Sequence, residues 1–299
     1  MRLRTLFEDA IWFRVSCKDS NVVMRGKMSG DQFVSKKLQA TVLLNTYNRA
    51  DRLRLCLPAY LKQTCMDFEM VVADDASEDN TEEVVREFAK SAPFPVRYVR
   101  HELEGHNRTA ILNKGILAAR SDFVIFADAD CLPACNLVEV HCANREEKRL
   151  LIGGRVRLDE AETSKVTHEM VDSAGYESYL TPSRRRELFI LHMRNRFYIA
   201  IRKKRRPHNY ALNMAAEKWA LLAINGFDEN CQGWGDVDGE LRERLKRIGV
   251  RPKCVCDKAI VFHMWHPPHS TRNQRRNRDY VRRASIPIWC ENGIFKLPK

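Results

Sequence analysis

Short apolar runs alternate with amphipathic segments from Gln39 to about residue 130. The apolar runs predict four strands: ATVLLN (40–45), FEMVVADD (68–75), VRYVR (96–100) and DFVIFADAD (122–130). The segments after the first three runs have helical spacing: ADRLRLCLPAYLKQ (50–63), SEDNTEEVVREFAK (77–90) and NRTAILNKGILAAR (107–120). Strands that alternate with helices of this length form βαβ units. The pattern therefore predicts an α/β fold with a mixed, mainly parallel sheet flanked by helices.

The pattern is less regular after residue 150. We expect strands in LLIGGRVRL (150–158), at the start of LNMAAEKWALLAIN (212–225) and in KAIVFHMWH (258–266), and a helix in GDVDGELRERLKRIG (235–249). Residues 160–210 are polar and basic, which predicts partial helix with loops. Pro58 is expected to kink or open the first helix, because proline lacks the amide hydrogen that the helix needs.

These patterns divide the chain into three predicted parts. Residues 1–38 show no clear period and are interpreted as an N-terminal extension. Residues 39–270 form the predicted domain, whose first half is residues 39–150 and whose second half is residues 151–270. Residues 271–299 are interpreted as a basic C-terminal tail.

Composition excludes some classes of protein. Of the 299 residues, 44% are hydrophobic and 30% charged, which is ordinary for a globular domain. No apolar run approaches the roughly 20 residues of a membrane-spanning helix. The basic N-terminus is interrupted by Glu8 and Asp9, so it makes a poor signal peptide. We therefore predict a cytoplasmic protein.

Ten cysteines lie scattered along the chain without a CxxC pair. Several lie inside apolar runs, where cysteine behaves as a small hydrophobic residue. Cys131, Cys135 and Cys142 could form a metal cluster with His141. The simpler interpretation, a helix that carries some cysteines, is favoured.

The net charge of +12 is concentrated in three runs, at residues 184–186, 202–206 and 271–283. Such runs suit a polyanionic partner, which would be nucleic acid, an anionic membrane or a phosphorylated substrate. A solvated basic surface is the alternative for each run. Nucleic-acid binding would leave the acidic clusters unexplained, so we expect these runs to contact an anionic membrane, a lipid-linked diphosphate or an anionic glycan instead.

Acidic side chains follow two of the predicted parallel strands. Asp74 and Asp75 end the second strand, and Asp128 and Asp130 follow the fourth. Ligands bind beyond the carboxyl ends of the strands in such sheets. Carboxylates suit Mg²⁺ or Mn²⁺, and a cation would relieve their repulsion, although many surface loops carry this DxD spacing by chance. Histidines at the end of the last strand, His263 and His266, would shift the preference toward Mn²⁺ unless they are ordinary core or surface residues.

The segment GFDENCQGWGDVDGEL (226–241) combines an aromatic residue with acids. Glycines at 233 and 235 allow a tight backbone around Trp234, whose indole could stack on a sugar. Asp236 and Asp238 lie at the start of a predicted helix. Each is interpreted either as a helix cap or as a general base beside the indole.

Several blocks together resemble the family 2 glycosyltransferases with the GT-A fold, in particular the galactosyltransferase-like members. These blocks are TVLLNTYNRADRLRLCLPAYLKQTCMDFEMVVADDASEDNT, GHNRTAILNKGI with the later FADADC, NMAAEKWALLAINGFDENCQGWGDVDGEL, and HMWH. The resemblance runs from about Ala40 to Pro267. Two positions depart from the pattern: Asn45 replaces a proline, and Val237 replaces the glutamate of GWGxED.

The resemblance implies roles for particular residues. Donor nucleotide-sugar binding would involve Thr46, Tyr47, Arg49, Asp74, Asp75, Arg108 and Asp128. Metal binding would involve Asp130 directly, Asp128 on the ribose side, His266, and His263 in second place. Acceptor binding would involve Trp234 and Gly235, and catalysis would involve Asp238 as base, with Asp236 beside it.

The resemblance thus implies a metal-dependent inverting transferase, using Mn²⁺ or Mg²⁺. Its donor would be a nucleotide-diphosphate sugar, a UDP-sugar by expectation, and its acceptor a hydroxyl of a glycan or lipid-linked glycan. A nicotinamide oxidoreductase is disfavoured, because NTYNRA (45–50) follows the first strand without the expected GxGxxG. A phosphatase that uses the DxD, and a basic nucleic-acid-binding or non-catalytic α/β protein, remain as alternatives.

Overall fold

The structure, a computed structural model, describes residues 38–101, 107–231, 235–267, 277–283 and 286–296. The described strands are β1 (Ala40–Thr46), β2 (Phe68–Asp74), β3 (Val96–Arg100), β4 (Phe123–Asp128), β5 (Cys131–Pro133), β6 (Arg149–Ile152), β7 (Gly154–Arg157), β8 (Asn213–Glu217), β9 (Arg251–Cys254) and β10 (Ile260–His263). The described helices are α1 (Ala50–Ala59), α2 (Thr81–Ser91), α3 (Arg108–Ala118), α4 (Leu137–Ala143), α5 (Glu160–Ser164), α6 (His168–Asp172), α7 (Pro182–Ala200), α8 (Lys218–Ala223), α9 (Val237–Arg247) and α10 (Arg278–Arg282). None of the helices in these ranges has the length and apolar character to cross a bilayer.

Seven strands form the main sheet, in the order β3-β2-β1-β4-β8-β6-β9. Strand β8 is antiparallel to β4 and β6, whereas the other four neighbouring pairs are parallel. Strands β1 and β2 are buried along their whole length, because helices α1 and α2 cover one face of the sheet and helices α3, α8 and α9 the other. Burial on both faces explains why these strands are nearly continuous apolar runs. The predicted α/β fold with a mainly parallel sheet flanked by helices is confirmed.

The segment 150–158 is not one strand, so that prediction was wrong. Strand β6 belongs to the main sheet, whereas β7 belongs to a second sheet with the order β5-β10-β7. The break lies at Gly153 and Gly154, where the chain passes so close to its neighbours that a Cβ on Gly154 would lie 2.0 Å from the carbonyl oxygen of Cys256. The Asn213 amide ties the sheets together, donating to the carbonyl oxygens of Gly154 (2.8 Å) and Ala259 (3.0 Å).

Two other expectations are refined. Pro58 lies one residue before the end of α1, and the chain continues as a 3₁₀ helix at Tyr60–Lys62 instead of kinking in mid-helix. The segment 160–210 is partly helical, as predicted, and contains the longest described helix, α7. Thr181 caps α7 by accepting from the backbone N–H of Arg184.

The described part of the predicted tail packs against the domain. Cys290 is buried, and the Asn225 amide donates to the carbonyl oxygens of Cys290 (2.7 Å) and Phe295 (2.9 Å). Residues 271–276 and the N-terminal residues 1–37 lie outside the described ranges. The predicted domain boundaries, at residues 38, 150 and 270, stay predictions.

Candidate active site

The carboxyl ends of β1, β2 and β4 meet at one edge of the main sheet. Thr46 is in register with Asp74 on β2, and Asn45 is in register with Asp128 on β4. Because these strands are parallel neighbours, residues far apart in sequence come together at this edge. The donor-binding residues that the sequence predicts at these strand ends therefore lie in one place.

Asp74 and Asp75 are fully buried and held by several donors. Asp74 accepts from the backbone N–H of Ser77 (3.2 Å) and from the Tyr98 hydroxyl (2.5 Å). Asp75 accepts from the backbone N–H of Asn107 (2.9 Å) and contacts the His101 ring. Burial, and then the hydrogen bond to Asp74, raises the pKa of Tyr98, so this phenol stays protonated as a donor. These neighbours position the two carboxylates.

The end of β1 contains two buried polar atoms without hydrogen-bond partners among the described residues. Asn45 Oδ1 and Thr46 Oγ1 are buried and accept or donate no hydrogen bond among the described residues. A buried unpaired polar group costs about 1–3 kcal/mol, which a bound polar ligand would recover. Tyr47 is exposed and Arg49 half-buried at the rim.

Arg108, the first residue of α3, connects two of the predicted site acids. Its guanidinium lies 2.9 Å from Asp128 Oδ1 and 3.7 Å from Asp238 Oδ1. Burial lowers the pKa of Arg108, but the charges of Asp128 and Asp238 outweigh it, so the pKa is raised. Arg108 is thus a fixed positive charge between the end of β4 and the start of α9.

Asp238 lies in the first turn of α9 with its Oδ1 unpaired by any hydrogen bond among the described residues. Burial raises the pKa of Asp238, the positive charge of Arg108 opposes the rise, and the charge of Asp128 adds to it. Asn209 donates to the Asp238 carbonyl oxygen (2.7 Å), and Arg242 donates to Asn209 Oδ1 (2.9 Å), so the peptide of Asp238 is anchored. A raised pKa and an oxygen that accepts no hydrogen bond suit a general base.

The other predicted site residues of the segment 226–241 are Trp234, Gly235 and Asp236. Asp236 is exposed, with a left-handed backbone (φ 62°), and it precedes α9. Gly235 beside it has φ 103°, a conformation that favours glycine. Trp234, the predicted sugar platform, lies outside the described residues.

Asp130, His263 and His266 form a possible metal site, their ligand atoms all within 4.8 Å of one another. His266 Nε2 lies 3.4 Å from Asp130 Oδ2, and His263 Nε2 lies 3.9 Å from Asp130 Oδ1. Burial lowers the pKa of His263, Asp130 opposes this, and His266 adds to it, so the ring tends toward the neutral form that ligates metals. One carboxylate and two imidazoles form a donor set that divalent first-row metal ions bind. Asp128 is not a member of this group.

The two sheets place these ligands together. Strand β5 begins directly after Asp130 and pairs antiparallel with β10, so His263 lies opposite Cys131. The backbone N–H of Met264 donates to the Asp130 carbonyl oxygen (2.9 Å). Ligands separated by more than 130 positions thereby share one site.

Sequence reasoning missed Arg155, which lies on β7 beside this site. Its guanidinium lies 4.2 Å from the centre of the Tyr210 ring. Burial, and then the charge of Arg157, lowers the pKa of Arg155, and its charge acts on both Asp238 and His263. Strand β7 carries two arginines, and the pairing with β10 sets Arg157 opposite His263 and Arg155 opposite Val261. The charge that acts on both Asp238 and His263 is that of Arg155, which the strand pattern alone does not indicate.

The other cluster considered from sequence is not supported. His141 is buried in α4, with Nε2 2.8 Å from Asn213 Oδ1, and burial lowers its pKa to about 4. Among the described residues, the groups that bring three possible ligands together contain none of Cys131, Cys135 and Cys142. The favoured interpretation, a helix that carries the cysteines, holds for Cys142 on α4 alone, because Cys131 lies on β5 and Cys135 between β5 and α4.

Comparison with known proteins supports the resemblance. The model of glycosyl transferase family 2 matches residues 41–212, and that of the N-terminal domain of galactosyltransferase matches residues 195–267. The chain is 28% identical to a chondroitin synthase of Escherichia coli over 79% of its own length and 36% of that protein. It is 27% identical to a chondroitin synthase of Pasteurella multocida over 92% of its own length and 31% of that protein. The chain thus spans about a third of the length of these curated relatives.

Solved structures show the same fold. A mannosyltransferase from Pyrobaculum calidifontis, in complex with GDP-Man and Mn²⁺, superposes with a TM-score of 0.57 at 17% identity, covering 85% of this chain and 67% of that one. S. aureus TarS in complex with UDP-GlcNAc superposes with a TM-score of 0.53 at 16% identity, covering 84% and 62%. Because the family model matches more than half of the residues and these neighbours share its architecture, the chain belongs to glycosyl transferase family 2 and has the GT-A fold.

Proposed function

We propose that this glycosyltransferase moves a sugar from a UDP-sugar to a hydroxyl of a glycan or lipid-linked glycan, with inversion and with a divalent metal. One observation carries the proposal. The acids at the ends of β2 and β4, the Asp130–His263–His266 group and the Asp238 carboxylate, which Arg108 links to Asp128, all border the same sheet edge.

The polar residues at the ends of β1 and β2 suit the base of a nucleotide. A uracil ring offers one N–H donor and two carbonyl acceptors, and Asp74 or Asp75 supplies the acceptor for its N–H. The unpaired oxygens of Asn45 and Thr46 provide further polar partners. The complex of TarS with UDP-GlcNAc supports a UDP-sugar as donor.

The diphosphate would lie beyond Asp128, between Arg108 and the group formed by Asp130, His263 and His266. A bound Mn²⁺ or Mg²⁺ supplies Lewis-acid stabilisation of the charge that develops on the leaving diphosphate. Arg108 adds a fixed positive charge there, and Arg155 a second one. The structure of the mannosyltransferase with Mn²⁺ supports this choice of metal.

Asp238 would remove the proton from the attacking hydroxyl. The pKa of Asp238 is raised toward neutral pH, which makes its carboxylate a stronger base. The hydroxyl attacks the anomeric carbon from the face opposite the diphosphate, so one displacement inverts that centre. The named relatives are polysaccharide synthases, which supports a glycan acceptor.

A screen of UDP- and GDP-sugars for hydrolysis, with Mn²⁺ added or chelated, tests this function. We expect release of UDP from one or a few donors, faster with Mn²⁺ than with chelator. Glycan oligosaccharides of the chondroitin type should raise the rate by acting as acceptors. Absence of binding and of hydrolysis with every donor would overturn the proposal.

Contact with an anionic membrane is proposed through the outer face of α7. This face exposes the apolar side chains of Phe189, Ile190, Met193 and Phe197, with Phe189 56% and Phe197 60% exposed. At 100° per residue these residues form one stripe, and exposed arginines flank it on both sides: Arg185, Arg194 and Arg196. An apolar stripe between cations is typical of helices that lie in a membrane interface. The basic run at 202–206 follows directly.

Replacing Phe189 and Phe197 with serine is expected to weaken vesicle binding by about tenfold or more, since full burial of one such side chain contributes roughly 1.5–3 kcal/mol. Co-sedimentation with vesicles of anionic or neutral lipid measures this. Leu117→Ser, which changes a residue that is 48% exposed on α3, is the matched control. The membrane contact would be contradicted if both variants bound vesicles equally or if binding did not depend on anionic lipid. It would also be contradicted if the wild type formed a dimer that the double variant disrupts.

A further inference from the structure

A second cluster of possible metal ligands lies away from the active site. It consists of His192 on α7, Cys254 at the end of β9 and Cys256 two residues later, with ligand atoms within 4.8 Å of one another. Both cysteines are buried free thiols. This Cys-Cys-His cluster brings together elements separated by about 60 positions in the sequence.

Some polar atoms around the cluster have no hydrogen bond among the described residues. His192 Nδ1 lies 2.8 Å from Asp257 Oδ1, yet neither atom has a hydrogen bond of acceptable geometry among the described residues. The Cys254 thiol contacts the Cys256 sulfur at 3.2 Å, and the Asn195 amide reaches Cys254 Sγ at 3.6 Å. The cluster thus combines a half-buried imidazole, a neighbouring carboxylate and two buried thiols, whose donor atoms a metal ion could bind.

We propose that His192, Cys254 and Cys256 bind a zinc ion, with Asp257 completing or orienting the site. Thiolate sulfur and imidazole nitrogen are the ligands that zinc prefers. Tetrahedral zinc with Zn–S bonds of about 2.3 Å needs sulfurs about 3.8 Å apart, so small side-chain rotations would suffice. A carboxylate beside a metal-binding imidazole fixes the orientation of the ring.

The surroundings of the Cys-Cys-His cluster indicate how a metal ion would enter and what it would stabilise. A cavity of about 470 Å³ opens beside the cluster and is lined by His192, Cys254 and Asp257, which provides an entry path. Of the 19 residues of α7 only Leu188 and Asn195 are buried, and Leu191 packs half-buried against the same apolar cluster, so few side chains hold this helix to the domain. A metal bond from α7 to the end of β9 would clamp this helix to the domain.

The site differs chemically from the Asp130–His263–His266 group, which makes it testable. Thiolates give cobalt(II) a charge-transfer absorption band, whereas a site of oxygen and nitrogen ligands gives none. The full chain, purified under reducing conditions and dialysed, should retain one zinc per molecule by colorimetric assay. After exchange to Co²⁺ it should show the thiolate band.

Variants separate the two sites and control for folding. Cys254→Ser and Cys256→Ser are expected to lose the retained zinc and the thiolate band, whereas Cys142→Ser and Asp130→Ala should keep both. Asp257→Asn should lower zinc affinity by about 10–100-fold. Zinc should raise the melting temperature of the metal-depleted wild type but not that of Cys256→Ser. The melting transition of Cys256→Ser itself shows whether the variant folds.

Three results would overturn the zinc site. These are wild-type protein that holds no zinc and shows no thiolate band, zinc retention that Cys254→Ser leaves unchanged, and a Cys254–Cys256 disulfide found by mass spectrometry in the reduced preparation. Each of them can occur whether or not the chain transfers sugars, so failure here is distinct from failure of the proposed function.

Discussion

Asp238→Asn is expected to lower the rate of sugar transfer by about 10²–10⁴-fold, the range that general-base catalysis contributes. Asparagine has the same shape but takes up no proton, and the anchoring of the Asp238 carbonyl oxygen by Asn209 is retained. The affinity for the nucleotide sugar should change little, because the residues proposed to bind the nucleotide lie at the ends of β1 and β2. Initial rates with saturating donor, together with donor titration, measure the two effects separately.

The comparison variants are chosen to match Asp238. Glu83→Gln changes an exposed acid in the first turn of α2 and should leave transfer unchanged. Asp236→Asn tests the neighbouring acid, and a larger loss there than at Asp238 would show that the base is assigned to the wrong residue. Near-normal turnover of Asp238→Asn would lead to the same conclusion.

The pH dependence provides a second test of Asp238. The base must be deprotonated to act, and burial raises the pKa of Asp238 above the usual value of an aspartate. Transfer by the wild type should therefore fall as pH decreases through this raised pKa, at a higher pH than for an ordinary aspartate. The residual activity of Asp238→Asn should lack this decline.

Asp130→Ala is the second substitution expected to abolish transfer, with a loss of at least about 10³-fold. Lewis-acid stabilisation of the leaving diphosphate is worth several kcal/mol, and each 1.36 kcal/mol changes the rate tenfold. Removing Asp130 leaves two imidazoles without their carboxylate partner. Isothermal titration with Mn²⁺ and rate measurements across Mn²⁺ concentrations check both consequences.

One control variant lies away from the proposed metal site, and two further variants compare its histidines. Asp172→Ala changes an exposed aspartate at the end of α6 and should leave Mn²⁺ affinity unchanged. His266→Ala should weaken Mn²⁺ binding more than His263→Ala, since His266 Nε2 lies 3.4 Å from Asp130 and His263 Nε2 3.9 Å. Full Mn²⁺-dependent activity of Asp130→Ala would remove this residue from the metal site.

Local pattern was a good guide to the first half of the domain. Strands β1, β2 and β4 are buried on both faces, so their apolar runs are easily recognised, and the acids that end β2 and β4 are visible as interruptions. Pattern failed at 150–158, because Gly153 and Gly154 allow a change of sheet without interrupting the apolar character. The pairing of Arg108 with Asp128 and Asp238, and the place of Arg155, were equally invisible, since they depend on contacts between distant segments.

The sequence by itself determined the fold class, the family and the short blocks that hold the candidate residues, because hydrophobic period and residue type are local properties. Only the tertiary structure decided which of these residues lie together. It joins Asp130 to His263 and His266, leaves Asp128 with Arg108, and separates the exposed Asp236 from the half-buried Asp238. The reason is physical: ligand sets and pKa shifts depend on distance and burial, which arise only when β10 pairs with β5 and α9 packs against the sheet.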